Sequence, residues 1–346
     1  MRYNLDKMIH TKRFSIALCL AFISLYSFGH KITDLDRLYY SPDLRMNDKN
    51  FYIYDLNTMT VDIYSQKNNR YLSSFGRKSE GPGEFKFINI FKVYPDYIFI
   101  FAVEKICVFS LDGKLLKETR TPPNGLYQQI EDRFICEKFP FTGDKNKVKQ
   151  DFSITDSNFK NSKDFYTAEY MIFYPGSGHA NKREMALIRN TVKCDVYKDK
   201  IYIGDTTKGF FFAVFDRNGK PLYQINLPYE KIPITNVEKQ AYVDRFVSWH
   251  GKKVLNLYHL SLPEYFPAYL DFTISDDRIY VLKYVKEPMI SKTQEVYILS
   301  TTGKLLKKAS LSYTPAQSYT FYKNHYYYLI DNEDTEKWEL HREELK

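Results

Sequence analysis

The sequence predicts an all-β fold, a six-bladed β-propeller of four-stranded antiparallel blades. Three observations carry this: a recurring strand–turn–strand phrase, six apolar strand starts, and an aromatic-rich composition. The phrase is clearest in Lys105-Ile106-Cys107-Val108-Phe109-Ser110-Leu111-Asp112-Gly113-Lys114-Leu115-Leu116-Lys117. It returns in Phe212-Ala213-Val214-Phe215-Asp216-Arg217-Asn218-Gly219-Lys220-Pro221-Leu222 and again in Glu295-Val296-Tyr297-Ile298-Leu299-Ser300-Thr301-Thr302-Gly303-Lys304-Leu305-Leu306-Lys307. Each copy is a strand, a tight turn ending in Gly-Lys, and a second strand. The glycines supply the positive φ that short hairpins require.

An apolar strand precedes each copy, for example Tyr97-Ile98-Phe99-Ile100-Phe101 and Arg278-Ile279-Tyr280-Val281-Leu282. Weaker copies open at Phe51, Phe134 and His325, so units start near residues 51, 97, 134, 201, 278 and 325. The shorter intervals match one propeller blade of about 40–50 residues. The two long ones, on either side of residue 201, imply insertions. A lone blade cannot cover its own faces, so six of them stack around an axis. Closure needs an N-terminal strand in the last sheet, and Ile32–Tyr40 is available for it. A β-sandwich shares the hairpin spacing, but the recurrence of one phrase argues against it.

Composition agrees. Of 346 residues, 17% are aromatic and 44% hydrophobic, enough to bury a core and suited to pleated surfaces. The formal net charge is +8, but acids and bases are interspersed. No dense basic stripe is present, so no nucleic-acid partner is expected. The first residues carry Arg2, Lys7, Lys12 and Arg13 against Asp6, followed by the uncharged run Phe14–Gly29. This is the pattern of a signal peptide over 1–29, with Ser27 and Gly29 at the positions a peptidase reads. The propeller domain then spans 30–346, exported to the periplasm or cell surface. Membrane contact is expected only through this N-terminal segment, with a lipid anchor at Cys19 as the variant reading. Cys107, Cys136 and Cys194 are odd in number and sit in apolar strands, as buried thiols do.

Between units one and two lies Phe75-Gly76-Arg77-Lys78-Ser79-Glu80-Gly81-Pro82-Gly83-Glu84-Phe85. With the hairpins that follow, it resembles NHL-type propellers. More closely, it is similar to exported bacterial six-bladed β-propellers that carry a Gly-Pro-Gly-Glu-Phe loop. Leu262–Tyr269 followed by Phe272–Val281 is a second matching stretch, and the resemblance spans residues 32–345. It implies a six-bladed propeller in the cell envelope or outside the cell, and no single activity. The chain lacks the NHL proline soon after the loop phenylalanine and the Ala-Asp-like ending of the next strand, so the loop is kept in one blade and eroded in the others. Locally, Gly81 and Gly83 allow unusual backbone angles, Glu84 can accept loop N–H groups, and Phe85 can plug the gap between blades. Arg77 and Glu84 are candidate ligand contacts; a blade connector is the plainer reading.

Before unit five, Thr235-Asn236-Val237-Glu238 fits a capping box, and Gly251 stops the helix it opens near 235–251. Tyr242, Phe246 and Trp249 recur on one face. That face either packs on the propeller or lids a channel end, which makes Tyr242, Trp249 and His250 candidate ligand contacts.

The search for chemistry yields no catalytic or metal residues and no cofactor. The histidines form no zinc pattern, and no nucleophile elbow or phosphate-cradling loop is present. Gly176-Ser177-Gly178-His179 lacks the frame of an elbow and reads as a hairpin loop. Asp276-Asp277 and Glu343-Glu344, taken as strand neighbours, would face opposite ways. The expected function is therefore a binding scaffold with a protein or carbohydrate partner at a channel mouth. The alternative is a propeller lyase or hydrolase acting on a glycan or small ester.

Overall fold

Strands such as Ile98–Ala102 are apolar on both faces, so both faces must be covered. Radial stacking of sheets does this. The computed structural model describes residues 29–346 apart from 36, 124, 141, 144–146, 172–182, 285–292 and 313–317. The leader with Cys19 and the loop Gly176–His179 lie outside the described residues.

The first strand is β1 (His30–Asp34). Blade 1 is β2 (Asp43–Met46), β3 (Asn50–Asp55), β4 (Thr60–Ser65) and β5 (Tyr71–Phe75). Blade 2 is β6 (Ile88–Val93), β7 (Ile98–Ala102), β8 (Lys105–Phe109) and β9 (Leu115–Arg120). Blade 3 is β10 (Leu126–Ile130), β11 (Arg133–Lys138), β12 (Lys147–Thr155) and β13 (Ser162–Met171). After β14 (Arg183–Ala186) comes blade 4, with β15 (Val192–Tyr197), β16 (Lys200–Asp205), β17 (Phe211–Asp216) and β18 (Pro221–Asn226). Helices α1 (Asn236–His250) and α2 (Val254–Leu257) and strand β19 (Tyr258–Ser261) follow. Blade 5 is β20 (Asp271–Ser275), β21 (Arg278–Leu282), β22 (Thr293–Ser300) and β23 (Leu305–Ser312). Blade 6 is β24 (Ser318–Tyr322), β25 (His325–Asn332) and β26 (Lys337–Glu344), completed by β1 as its outermost strand.

All six blade sheets are four-stranded and antiparallel, so the chain is a six-bladed β-propeller; β14 and β19 form a separate two-stranded parallel sheet. The first strands of the blades, β2, β6, β10, β15, β20 and β24, each touch the next around the axis. The predicted unit starts fall on the second strand of every blade. The closing strand is displaced from the expected Ile32–Tyr40. It pairs over His30–Asp34, because the following residues serve another purpose. Leu35 and Tyr39 turn inward, Tyr39 Oη donates to the buried Asp62 at 2.9 Å, and Arg37 pairs with the same carboxylate at 2.9 Å.

The Gly-Lys turns have a second cause beyond φ. Gly113, Gly219 and Gly303 all have positive φ (89°, 73° and 93°). A Cβ there would lie 2.6 Å from Phe75, 2.8 Å from Phe165 and 2.6 Å from Ile225, respectively. Each of those residues belongs to the outer strand of the preceding blade or lies within it. The turn glycine is thus where one blade seats against the last.

Asp276 and Asp277 are not strand residues. They form the turn between β20 and β21, both with positive φ (44° and 60°), a conformation that Asp tolerates. Asp276 accepts from Tyr280 Oη and Asp277 pairs with Lys198 at 2.6 Å. The insertion helix lies where the sequence predicts it: Thr235 Oγ1 accepts from Glu238 N at 3.2 Å, Glu238 returns to Thr235 N at 2.8 Å, and Gly251 ends it.

Candidate functional site

The first strands enclose an axial cavity of about 1310 Å³. Their sequences, such as Val192–Tyr197 and Asp271–Ser275, alternate buried with half-buried residues, and the half-buried set is polar. Those polar side chains form a ring of contacts from blade to blade. Arg45 Nε of blade 1 donates to Phe91 O of blade 2 at 3.2 Å. Lys92 Nζ reaches Gln128 of blade 3 at 2.6 Å, and Gln128 Nε2 reaches Cys194 O of blade 4 at 3.3 Å. Lys193 Nζ meets Asp271 of blade 5 at 2.6 Å, whose other oxygen accepts from Tyr319 Oη of blade 6 at 3.1 Å. Ser318 Oγ accepts from Leu44 N at 2.9 Å, which returns the circle to blade 1.

The ring also neutralises the channel charge by pairs. Asp195 pairs with Lys92 at 2.5 Å. Burial alone would push its carboxyl up, but Lys92 and Lys193 together hold it below the usual range. Asp43 goes the other way: burial raises it despite Arg45 at 2.6 Å. Glu137, on β11, faces the same cavity and accepts from Gln150 Nε2 at 2.7 Å. Burial pushes its carboxyl up to about 7.

A raised acid prefers to stay protonated in the fold. Its effect is absent below the ordinary value near 4.5, and its cost grows as pH rises through about 7. Glu137→Gln is therefore expected to flatten the loss of thermal stability between pH 5 and 8. The gain above pH 7 should be about 1–2 kcal/mol, allowing for water that reaches the carboxylate. Melting curves that run parallel for the two proteins would contradict this.

At the end where the first strand of each blade turns into the second, the rim is tyrosine-rich. Tyr94 and Tyr97 stack with centroids 4.7 Å apart. Lys198 lies 5.3 Å over the Tyr197 ring and Lys323 5.5 Å over Tyr322. These four tyrosines line the cavity and are half-buried. Among the described residues, no group of three or more His, Cys, Asp or Glu stands close enough to hold a metal ion.

The residues singled out in the sequence lie elsewhere, and none lines this cavity. Arg77 and Glu84 are ion-paired to each other within the Gly-Pro-Gly loop. Glu84 also accepts from Gly81 N at 3.0 Å; burial raises its carboxyl, but Arg77 and the loop donors outweigh that and hold it low. Gly83 N donates to Glu118 at 2.9 Å, and Lys105 Nζ to Gly81 O at 2.9 Å. The loop's polar groups are spent on its own shape and on blade 2. Tyr242 packs on Phe266 with ring centroids 6.1 Å apart, whereas Trp249 and His250 stand exposed at the end of α1. The three core cysteines are buried and unbridged, and burial pushes the Cys107 thiol up to about 12.

Comparison with known proteins places the architecture. The model of a family described as a 6-bladed β-propeller matches residues 33–183. A search of curated proteins finds none that matches. Among solved structures, a candidate exported protein of Bacteroides fragilis aligns over 92% of this chain and 95% of its own, at 13% identity and a TM-score of 0.52. A luciferin-regenerating enzyme aligns over 92% of this chain and 91% of its own, at 12% identity and a TM-score of 0.41. The Cps50 (Swd1) β-propeller domain of Myceliophteria thermophila covers 91% and 99%, at 12% identity and a TM-score of 0.41. At 13% identity the likeness to the Bacteroides fragilis protein is one of fold.

Proposed function

We infer that this propeller is an exported binding scaffold of the cell envelope, and that it takes a protein segment or a carbohydrate at the tyrosine-rimmed end of its channel. One observation carries the reading: a cavity of about 1310 Å³ whose wall pairs Lys92 with Asp195 and Lys193 with Asp271 and whose rim offers aromatic rings. A paired, near-neutral wall suits a ligand recognised by hydrogen bonds and stacking rather than by charge. Among the described residues no three His, Cys, Asp or Glu stand close enough to hold a metal ion, which favours binding over metal-assisted chemistry.

Export is supported by the basic-then-apolar leader, whose expected end at Gly29 falls one residue before β1. It is also supported by the exported-protein description of the Bacteroides fragilis neighbour. The Gly-Pro-Gly-Glu-Phe loop relates the chain to NHL-like exported propellers.

The binding reading is tested by thermal shift with neutral hexasaccharides (maltohexaose, cellohexaose, xylohexaose) and with a random peptide library. A stabilising probe is expected, and its effect should fall about tenfold or more in Tyr197→Ala/Tyr322→Ala, since one lost stacking platform alone is worth on the order of 1 kcal/mol. An unchanged response in the double variant would move the site off this rim.

A further inference from the structure

Helix α1 sits where blade 4 connects to blade 5, at the opposite end of the channel from the tyrosine rim. Its face through Glu238, Tyr242, Phe246 and Trp249 begins against the propeller. Glu238 is buried, and Tyr242 joins a cluster with Ile188, Ile234 and Phe266. The stripe then runs past its support. Trp249 is 63% exposed, and on α2 Leu257 is 62% and Leu255 38% exposed. Val254 alone on α2 is buried.

Charge is segregated in the same place. From Arg245 to Pro263 the chain has no Asp or Glu, while Arg245, Lys252 and Lys253 are all basic. Lys252 and Lys253 are exposed in the turn between the helices, and the Arg245 guanidinium lies 4.4 Å from the Trp249 ring centroid. An exposed tryptophan and two leucines beside two exposed lysines is the composition of a segment that lies in a bilayer interface. Tryptophan favours the headgroup level, and long basic side chains reach the phosphates while their stems stay with the acyl chains. Each base near an anionic surface contributes about 1 kcal/mol. The apolar area of three side chains falls short of the roughly 800 Å² per partner that a stable protein interface buries.

We propose that the α1–α2 corner docks on an anionic phospholipid bilayer, with Trp249, Leu255 and Leu257 entering the headgroup boundary and the exposed Lys252 and Lys253 facing lipid phosphates. This surface is independent of the channel and of its ligand.

The chain has two tryptophans, and Trp338 is 2% exposed in the core, so Trp249 reports on this corner. The full chain is mixed with vesicles of phosphatidylcholine alone or with phosphatidylglycerol, carrying bromine on the acyl chains. The expected result is a blue shift and quenching of Trp249 on the anionic vesicles only, reversed by salt. Lys252→Glu/Lys253→Glu should weaken this about tenfold or more, and Trp249→Phe should abolish the optical change, both with unaltered melting. Vesicles that bind the chain through its apolar leader without quenching Trp249 overturn the proposal. So does equal quenching on neutral vesicles. A blue shift with polyglutamate but no quenching by lipid would assign the corner to an acidic protein and also overturn it.

Discussion

Phe85→Ala is expected to cost about 3–5 kcal/mol of stability, the range for emptying a fully buried aromatic site. Phe85 is 0% exposed and lies in a cluster drawn from two blades, with Tyr54, Met59 and Val61 of blade 1 and Phe91, Ile98 and Phe109 of blade 2. Its ring meets Phe109 edge-on at 6.0 Å. The site cannot collapse easily, because its backbone is fixed on both sides. Phe85 N donates to Arg77 O at 2.9 Å, and Gly76 is held at a φ of 75° with the Phe85 ring over the place where a Cβ would be. Arg77→Ala, by contrast, removes an exposed ion-pair partner and should cost under about 1 kcal/mol. Denaturant unfolding of the two variants separates the readings of this loop. A small effect at Phe85 would mean the blades are not joined through it.

The contrast explains what could be read in advance. The second strand of each blade carries an apolar run on both faces, so Phe51, Ile98, Phe134, Ile201, Ile279 and Tyr326 announce it. The Gly-Lys turns announce the hairpins, though only the packed blades reveal that Gly113, Gly219 and Gly303 also make room for Phe75, Phe165 and Ile225. The helix was legible to the residue, because Thr235, Glu238 and Gly251 act locally. The channel was not. Its residues lie on the first strands, where Lys92, Gln128, Lys193, Asp195 and Asp271 break the apolar pattern and resemble loop. Their partners are 36 to 103 positions apart in the ring contacts of Lys92 alone. Such pairs come together through ring closure, which no local spacing encodes. Arg77, Glu84, Tyr242, Trp249 and His250 drew attention because motif and aromatic periodicity are local signals. For the same reason, the clip of Arg37 and Tyr39 onto Asp62 left no trace in a window of sequence.

Closure itself gives the other large expected effect. Removing residues 1–40 takes away β1 and the segment behind it, leaving β26 as an open edge. Trp338 and Leu340, 2% and 1% exposed, would lose their cover, and so would Glu339. That carboxylate binds Lys31 at 3.0 Å, Asn332 at 2.9 Å and His341 at 2.7 Å. Burial pushes it up, but these three contacts prevail and lower it to about 2. The sign follows: a depressed acid stabilises the fold fully above its ordinary value near 4.5, and that contribution is lost as pH falls through about 2. Glu339→Ala should therefore destabilise the protein at pH 7 by about 2 kcal/mol and have little effect near pH 2, because it removes a buried, charge-assisted hub but spares the strand. The truncation should do more. Blade 6 would be short of a strand against blade 1, and the single unfolding transition of Trp338 fluorescence should broaden or vanish. Because the blades cover one another's faces, loss of one cover propagates around the ring rather than staying local. A truncated chain that unfolds at the same midpoint, with the same steepness, would mean that the ring is held by its axial contacts from Arg45 round to Ser318 and that β1 is ornamental.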